Sequence, residues 1–520
     1  MGIPDMLSSG AIAGFTRKVV GLLESPKVPF RWHLLVFFAA ILARCFLETQ
    51  LAVYKNTDVI FDAAIVIHWM LSYVALAAWL VLLFKLLSGQ PAEKVARAVL
   101  PFFILLILAP AADLLLTGGS GYRIEYIFPE DSAGLLPRFV SFFGTFSGVG
   151  VTPGMRLEIA LAVLLSFAYF MVKKLGVPKS FLGAFLAYSL IFAYIALPAI
   201  AHLALGVRLG DTVDFISAYL LIAFPALAYL AYSSSKLFRL ALFGIRSERL
   251  LNFWLMLAAG IAIAVKIAGA QLAPDFPAKL LLILIGTLFA WMHAVMINDI
   301  EDRVADKASG RKGLPLNKAG LGAYRSLGWL ALLLSAIYSL AAGVVALAIA
   351  ILFCAIYYAY SVPPLRLKRV LLLSKFLVAF NCLLMVALGY WLAAESIGGF
   401  PWQLCPLFLV GFALAANFID IKDYEGDKKT GIATLPVALG LENAKLAIGA
   451  SFFLAYLLAA WAIVGIVPAA GGLAPAVFLA AFALGEVEFW LVNRKAYDER
   501  PVMAVYLASV ALALAFLILA

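Results

Sequence analysis

Asn298, Asp299, Asp302 and Asp306 follow directly on a long apolar run that ends Trp291-Met292-His293-Ala294-Val295-Met296-Ile297. A helix carried on through them places the three aspartates at i, i+3 and i+7, on one face. At roughly 6 Å and an effective dielectric of about 20, each neighbouring carboxylate pair repels by about 3 kcal/mol. Such a face calls for protons or cations, and a hard divalent ion such as Mg²⁺ is the natural counter-charge. A second set, Asp420, Asp423 and Asp427, repeats the spacing after the apolar run ending at Ile419. Two such faces meeting at one cavity offer six carboxylates, enough oxygen ligands for two Mg²⁺ ions once water and phosphate oxygens complete the octahedra. One acidic helix end alone is as readily a solvated terminus that counters nearby bases. A matched pair on one side of a membrane argues for a site.

Between the two acidic sets lies Tyr360-Ser361-Val362-Pro363-Pro364-Leu365-Arg366-Leu367-Lys368-Arg369. The proline pair stops the preceding helix and fixes the backbone that follows, so Arg366 and Lys368 stand at a defined height beside the bilayer. Arginine suits phosphate because its planar fork donates two parallel hydrogen bonds. Taken alone, the run reads equally as a basic anchor at a membrane surface.

The elements that must position these groups are membrane helices. The 520 residues are 65% hydrophobic and 13% charged, with mean hydropathy +1.04. That composition excludes an ordinary soluble domain and predicts an all-α polytopic membrane protein. Apolar runs of sufficient length give about fifteen transmembrane helices, with backbone polar groups satisfied inside each one. Six are predicted near 33–54, 63–87, 97–117, 155–174, 180–206 and 213–233, and nine more between 250 and 520. Basic residues concentrate in alternate loops, as at Lys173, Lys174 and Lys179 and again from Lys236 to Arg249. The positive-inside rule then puts the N-terminus and all three motifs on the cytoplasmic side.

The net charge of +10 is dispersed through short loops, so membrane orientation accounts for it and no nucleic-acid partner is expected. Cys45, Cys354, Cys382 and Cys405 lie in or beside apolar runs without paired spacing, which predicts a packing role. Residues 11–24 read as an interfacial amphipathic helix with Arg17 and Lys18 on its polar side. The loop at 118–154 is long enough to fold over the mouth of a bundle. The basic segment Lys236–Arg249 divides the chain into residues 1–235, about six spans of unassigned function, and 236–520, about nine spans that carry every motif.

The three motifs together resemble the UbiA superfamily of intramembrane prenyltransferases over about residues 236–520. The resemblance rests on NDxxDxxxD at Asn298–Asp306, YSxPPxRxK at Tyr360–Lys368 and DxxDxxxD at Asp420–Asp427, in matching order and sidedness. It implies a nine-helix bundle, a Mg²⁺-dependent site under cytoplasmic cap loops, and an apolar tunnel for an isoprenoid chain that opens to lipid. One departure is evident. Family members often follow the first acidic motif with a segment like RPxPSG, where this chain reads Gly310-Arg311-Lys312-Gly313-Leu314-Pro315-Leu316-Asn317-Lys318.

An allylic diphosphate needs acids to hold metal, bases to hold phosphate and an apolar interior for its tail. Asp299, Asp302 and Asp306 are expected to hold one Mg²⁺, and Asp423 and Asp427 a second. Both would neutralise charge on departing pyrophosphate. Asp420 matches a position that is acidic in many family members and is a further candidate metal ligand. Arg366, Lys368, Lys422 and Lys428 are candidate phosphate donors. Asn298 can offer its amide oxygen to metal or brace a carboxylate, and Tyr360 can reach a phosphate oxygen or serve as an interfacial anchor. His293 reads as a packed, hydrogen-bonded histidine.

The expected function is transfer of a prenyl group from an isoprenyl diphosphate to an aromatic or lipid acceptor. The expectation covers quinone or lipid biosynthesis, and the sequence names no protein partner. Hydrolysis or cyclisation of the diphosphate is the alternative within enzymes. A cation or lipid transporter is the alternative outside them, and it would place ionisable groups at mid-span rather than at helix ends.

Overall fold

The computed structural model describes residues 9–48, 63–308 and 315–519. Helices dominate, and the β geometry among the described residues is an isolated bridge between Arg123 and Val149. Fourteen described helices are long and apolar enough to cross a membrane. The chain is therefore an all-α, multi-pass integral membrane protein. The expected first span, 33–54, is found as Phe30–Phe46, too short to count among the fourteen, and residues 49–62 lie outside the described part. The chain forms two compact units, Met1–Lys236 and Leu237–Ala520.

In the first unit, α1 (Ser9–Leu23) leaves Arg17 and Lys18 exposed while Val20 joins a core with Phe37 and Tyr73. It is followed by α2 (Phe30–Phe46), α3 (Ala63–Ser88), α4 (Ala92–Leu116), α5 (Pro153–Val172), α6 (Val177–Ile195), α7 (Leu197–Leu205) and α8 (Thr212–Ser234). The span expected at 180–206 is broken between α6 and α7. Pro198 has no N–H to continue the ladder. The carbonyls released there find other donors: Tyr219 Oη donates to Tyr194 O at 3.4 Å, and Ile127 N–H to Ile195 O at 3.1 Å. Through that bond the long loop is stitched to the break, and Ile127, Phe143 and Val151 are buried against Phe192 and Ile195.

The second unit holds α9 (Lys236–Phe243), whose first residue is the unit boundary, and the nine spans α10 (Ser247–Lys266), α11 (Phe276–Ala308), α12 (Lys318–Ala342), α13 (Val344–Ser361), α14 (Leu373–Ala394), α15 (Leu404–Lys429), α16 (Leu441–Ile466), α17 (Ala474–Val492) and α18 (Glu499–Leu519). Helices α10 and α14, α11 and α12, and α16 and α17 pack as pairs, and α18 closes onto α10. The α10–α14 crossing is backbone against backbone. A Cβ on Gly260 would lie 1.9 Å from Val386 O, and one on Gly389 would lie 1.9 Å from Leu257 O. Small residues permit this approach where no hydrophobic drive separates protein from lipid. Cys45, Cys354 and Cys382 are buried, in keeping with packing.

Candidate active site

Helix α11 runs unbroken through the first acidic motif, because nothing between Phe276 and Ala308 beyond Pro277 at its start interrupts the ladder. Asn298 and Asp302 therefore lie about a turn apart and share one partner, Lys368. Asn298 Oδ1 accepts from Ser361 Oγ at 3.1 Å and from Lys368 Nζ at 3.2 Å. Asp302 Oδ1 is ion-paired with Lys368 and accepts from Arg366 Nη2 at 3.3 Å. The Pro363-Pro364 turn thus folds its two bases back onto the acidic helix end. Arg366 holds a left-handed backbone, φ +38°, and its guanidinium also reaches Glu301 O at 3.4 Å. Asp299 points to another neighbour, Arg246 Nη2, at 3.1 Å. The turn that carries Arg246 is pinned by a hydrogen bond from Trp291 Nε1 to Ile245 O.

Asp306 belongs to α11, but its side chain is not among the described ones, and Gly310–Leu314 of the divergent cap segment lie outside the described residues. His293 is buried, with Nδ1 2.8 Å from Gly328 O, a packed histidine as its position suggests.

The second motif does not continue an α-helix. Helix α15 passes through a π segment at Leu407–Phe412 and a 3-10 segment at Ala416–Asp423 before resuming as α at Tyr424. With three residues per turn, Asp420 and Asp423 eclipse one another rather than sharing the broad face an α-helix would give. The interrupted ladder is completed by side chains: Asn417 Nδ2 donates to Leu414 O at 2.9 Å and Tyr497 Oη to Phe418 O at 2.6 Å. Burial, with Glu499 nearby, raises the Tyr497 hydroxyl well above the ordinary tyrosine range, so it stays a donor. Asp420 is buried and paired with Lys375 Nζ at 2.6 Å. Asp423 faces the same cavity, and Lys422 is ion-paired with Glu499. Lys428 lies over the Tyr424 ring, 5.6 Å from its centroid.

These groups surround one end of a cavity of about 1100 Å³ inside the second unit. Asn298, Asp302, Tyr360, Lys368, Lys375, Asp420, Lys422 and Asp423 line it, together with Arg246 and Arg249. Asp299, Arg366, Asp427 and Lys428 are not on its wall, although Asp299 and Arg366 hold residues that are. Away from the charged end the lining turns apolar, with Met256, Phe412, Ala455, Ala459, Ala480 and Leu514. Asn252 interrupts it, accepting from Tyr506 Oη at 2.8 Å and donating to Cys382 Sγ at 3.4 Å. A charged head next to a long oily hollow accommodates an amphiphile whose charge is all at one end.

The donor set suits a hard divalent ion in type: carboxylates and an amide oxygen, with bases alongside for an anionic ligand. Those carboxylates are shared among bases, Asp299 with Arg246, Asp302 with Lys368 and Arg366, Asp420 with Lys375. Among the described residues no three carboxylates converge on one ion-sized position. The acids and bases here neutralise each other.

Arg246, Arg249, Lys375 and Tyr497 lie outside the three motifs, and Ser361 lies within one without a role assigned to it from sequence. Lys375 carried the clearest signal, a lysine at the head of an otherwise apolar span. Nothing local marks Arg246, because its partner lies 53 residues away.

Residues 253–510 match the family model described as the UbiA prenyltransferase family, and the region before it has no family match. A homogentisate phytyltransferase of Synechocystis is 37% identical over 92 residues, 16% of this chain and 30% of that protein. A digeranylgeranylglyceryl phosphate synthase of Sulfolobus acidocaldarius is 27% identical over 164 residues, 30% of this chain and 58% of that one. The chain thus spans less than two thirds of these relatives' length. A solved UbiA homolog from Archaeoglobus fulgidus, bound to DMAPP and Mg²⁺, superposes with TM-score 0.41 at 20% identity, over 54% of this chain and 96% of that one.

Proposed function

We propose, from the match of residues 253–510 to the UbiA prenyltransferase family model, that the second unit transfers a prenyl group from an isoprenyl diphosphate to an aromatic or lipid acceptor and releases pyrophosphate. The observation that carries this reading is the pairing of Lys368 and Arg366 with Asp302 at the charged end of an apolar cavity of about 1100 Å³. A diphosphate entering there takes over the bases, through charge-assisted hydrogen bonds from Lys368, Arg366 and Lys375. Asp302, so released, and Asp299 and Asp423, with Asp306 and Asp427 further along the same helices, are the proposed Mg²⁺ ligands. When bound, the metal supplies Lewis-acid stabilisation of the leaving pyrophosphate. Asp420, held by Lys375, serves to place that lysine at the head of the cavity. Tyr360 and Lys422 flank the diphosphate, and Lys428 acts from the rim. The apolar wall keeps water from the allylic carbon, so the acceptor captures it.

The basic loops support a cytoplasmic position for the active site, and residues 1–236 are read as a separate membrane module. The test is Mg²⁺-dependent pyrophosphate release by the purified full chain supplied with prenyl diphosphates and candidate acceptors. An Asp299→Asn/Asp423→Asn variant that behaves like wild type with every donor overturns the site. Pyrophosphate release that needs no acceptor turns the assignment to hydrolysis or cyclisation.

A further inference from the structure

The first unit buries a charge cluster of its own. Arg44, on α2, is 1% exposed. Its guanidinium is ion-paired with Glu48, just beyond the same helix, and with Glu158 on α5, and Nη1 also donates to Leu106 O at 3.0 Å. Its positive charge further lies against the Trp69 ring, 5.9 Å from the centroid. Asp113, on α4, is 2% exposed and interacts electrostatically with both glutamates. Asp113 Oδ1 accepts from Gly154 N–H at 2.8 Å, and a Cβ on Gly154 would fall 2.8 Å from that same oxygen, so the carboxyl is locked in place.

The charges do not balance. One guanidinium faces three carboxyls, an excess of two negative charges if all are ionised. Two carboxyl oxygens, Glu48 Oε2 and Asp113 Oδ2, are buried without a hydrogen-bond partner among the described residues. Among the described residues, the other polar groups packed around the cluster supply no second cation. Tyr73 on α3 stacks on Tyr194 of α6, with centroids 5.6 Å apart, and Cys45 is a neutral thiol at this burial. Arg156, two residues before Glu158, is committed to the carbonyls of Val151, Gly144 and Phe143. A buried anion without a partner neutralises itself by binding a proton or a metal. No three of these acids converge on an ion-sized position among the described residues, which leaves the proton.

We infer that Arg44, Glu48, Glu158 and Asp113 form a proton-binding site in the first unit, occupied at neutral pH. The proton is held by the acids left over once Arg44 has satisfied one. Binding converts a carboxylate and a hydronium ion to a carboxylic acid and water, and Arg44 keeps its own protons. A small void of about 120 Å³, lined by Arg44, Glu158, Tyr73 and Tyr194, adjoins the cluster and gives a proton carrier room to approach. The inference is independent of prenyl transfer, since every residue in it belongs to the first unit.

The test is infrared spectroscopy of the full chain in lipid nanodiscs, titrated from acid to alkaline pH and read at the protonated-carboxyl C=O stretch. Wild type is expected to keep that band at neutral pH. Asp113→Asn or Glu48→Gln is expected to remove the intensity of at least one carboxyl, beyond any removed by Glu488→Gln, a buried acid of the second unit used as the control. Labelling aspartate with ¹³C at its carboxyl in unmutated protein shifts any Asp113 share of the band, so the result does not depend on the variants folding. A wild-type spectrum with no protonated-carboxyl band at neutral pH other than that lost in Glu488→Gln overturns the inference.

Discussion

Lys375 and Asp420 face each other across the head of the cavity, Nζ to Oδ1 at 2.6 Å, both buried. A pair so enclosed is costly to break from one side, because the partner left behind carries an uncompensated charge. Lys375→Met is expected to destabilise the second unit by about 3–5 kcal/mol. The double variant Lys375→Met/Asp420→Leu should recover most of that, while remaining impaired in diphosphate binding. Denaturant or thermal unfolding of the purified variants measures it, and equal losses in the single and double variants would contradict a charge-pair origin.

Lys368 bridges Asn298 and Asp302, so it is the base whose removal should most affect the head group. Lys368→Met is expected to lower kcat/KM for the diphosphate about 100-fold, as for loss of one preorganised donor. Arg366, off the cavity wall, should matter less to kcat and more to KM. Steady-state kinetics with varied donor separates the two.

Asp423 faces the cavity from a segment whose register differs from a regular α-helix. Asp423→Asn should raise the Mg²⁺ concentration for half-maximal activity at least tenfold, about 1.4 kcal/mol of binding free energy. Activity measured across a magnesium titration gives this directly, and an unchanged midpoint would remove Asp423 from the ligand set.

Gly260 and Gly389 let α10 and α14 touch backbone to backbone, with no room for a methyl group on either side. Gly260→Ala or Gly389→Ala forces the helices apart and is expected to cost about 1–3 kcal/mol, the usual range for overpacking. Gly322→Ala, where nothing lies within 4 Å, is the matched control and should be near neutral or slightly stabilising. Unfolding midpoints compare the three.

Ala459 and Ala480 line the apolar part of the cavity. Filling it with Ala459→Phe should leave short donors active and exclude long ones, shifting the longest accepted chain downward. Competition between prenyl diphosphates of different length reads this in one reaction, and an unchanged preference would place the chain elsewhere.

The sequence by itself determined the all-helical membrane class, most span positions, the two acidic motifs and the basic proline turn between them. Each is written in short-range signals: apolar run length, carboxylate spacing and the stereochemistry of proline. His293 as a packed residue and the buried cysteines followed from the same local logic. What only the tertiary structure decided is how the charges are shared. Asp420 looked equivalent to Asp423 by spacing, yet a 3-10 segment and a lysine 45 residues away bind it into a buried pair. Asp299 is turned to Arg246, 53 residues earlier in the chain. The break at Pro198 depends on Tyr219 and Ile127 arriving to donate hydrogen bonds to the freed carbonyls. The cluster around Arg44 draws on α2, α4 and α5, whose acids are scattered singly through the sequence. Local periodicity fixes where a helix runs and which face is apolar; electrostatic neutrality is a property of neighbours in space, and in a bundle those neighbours are distant in the chain.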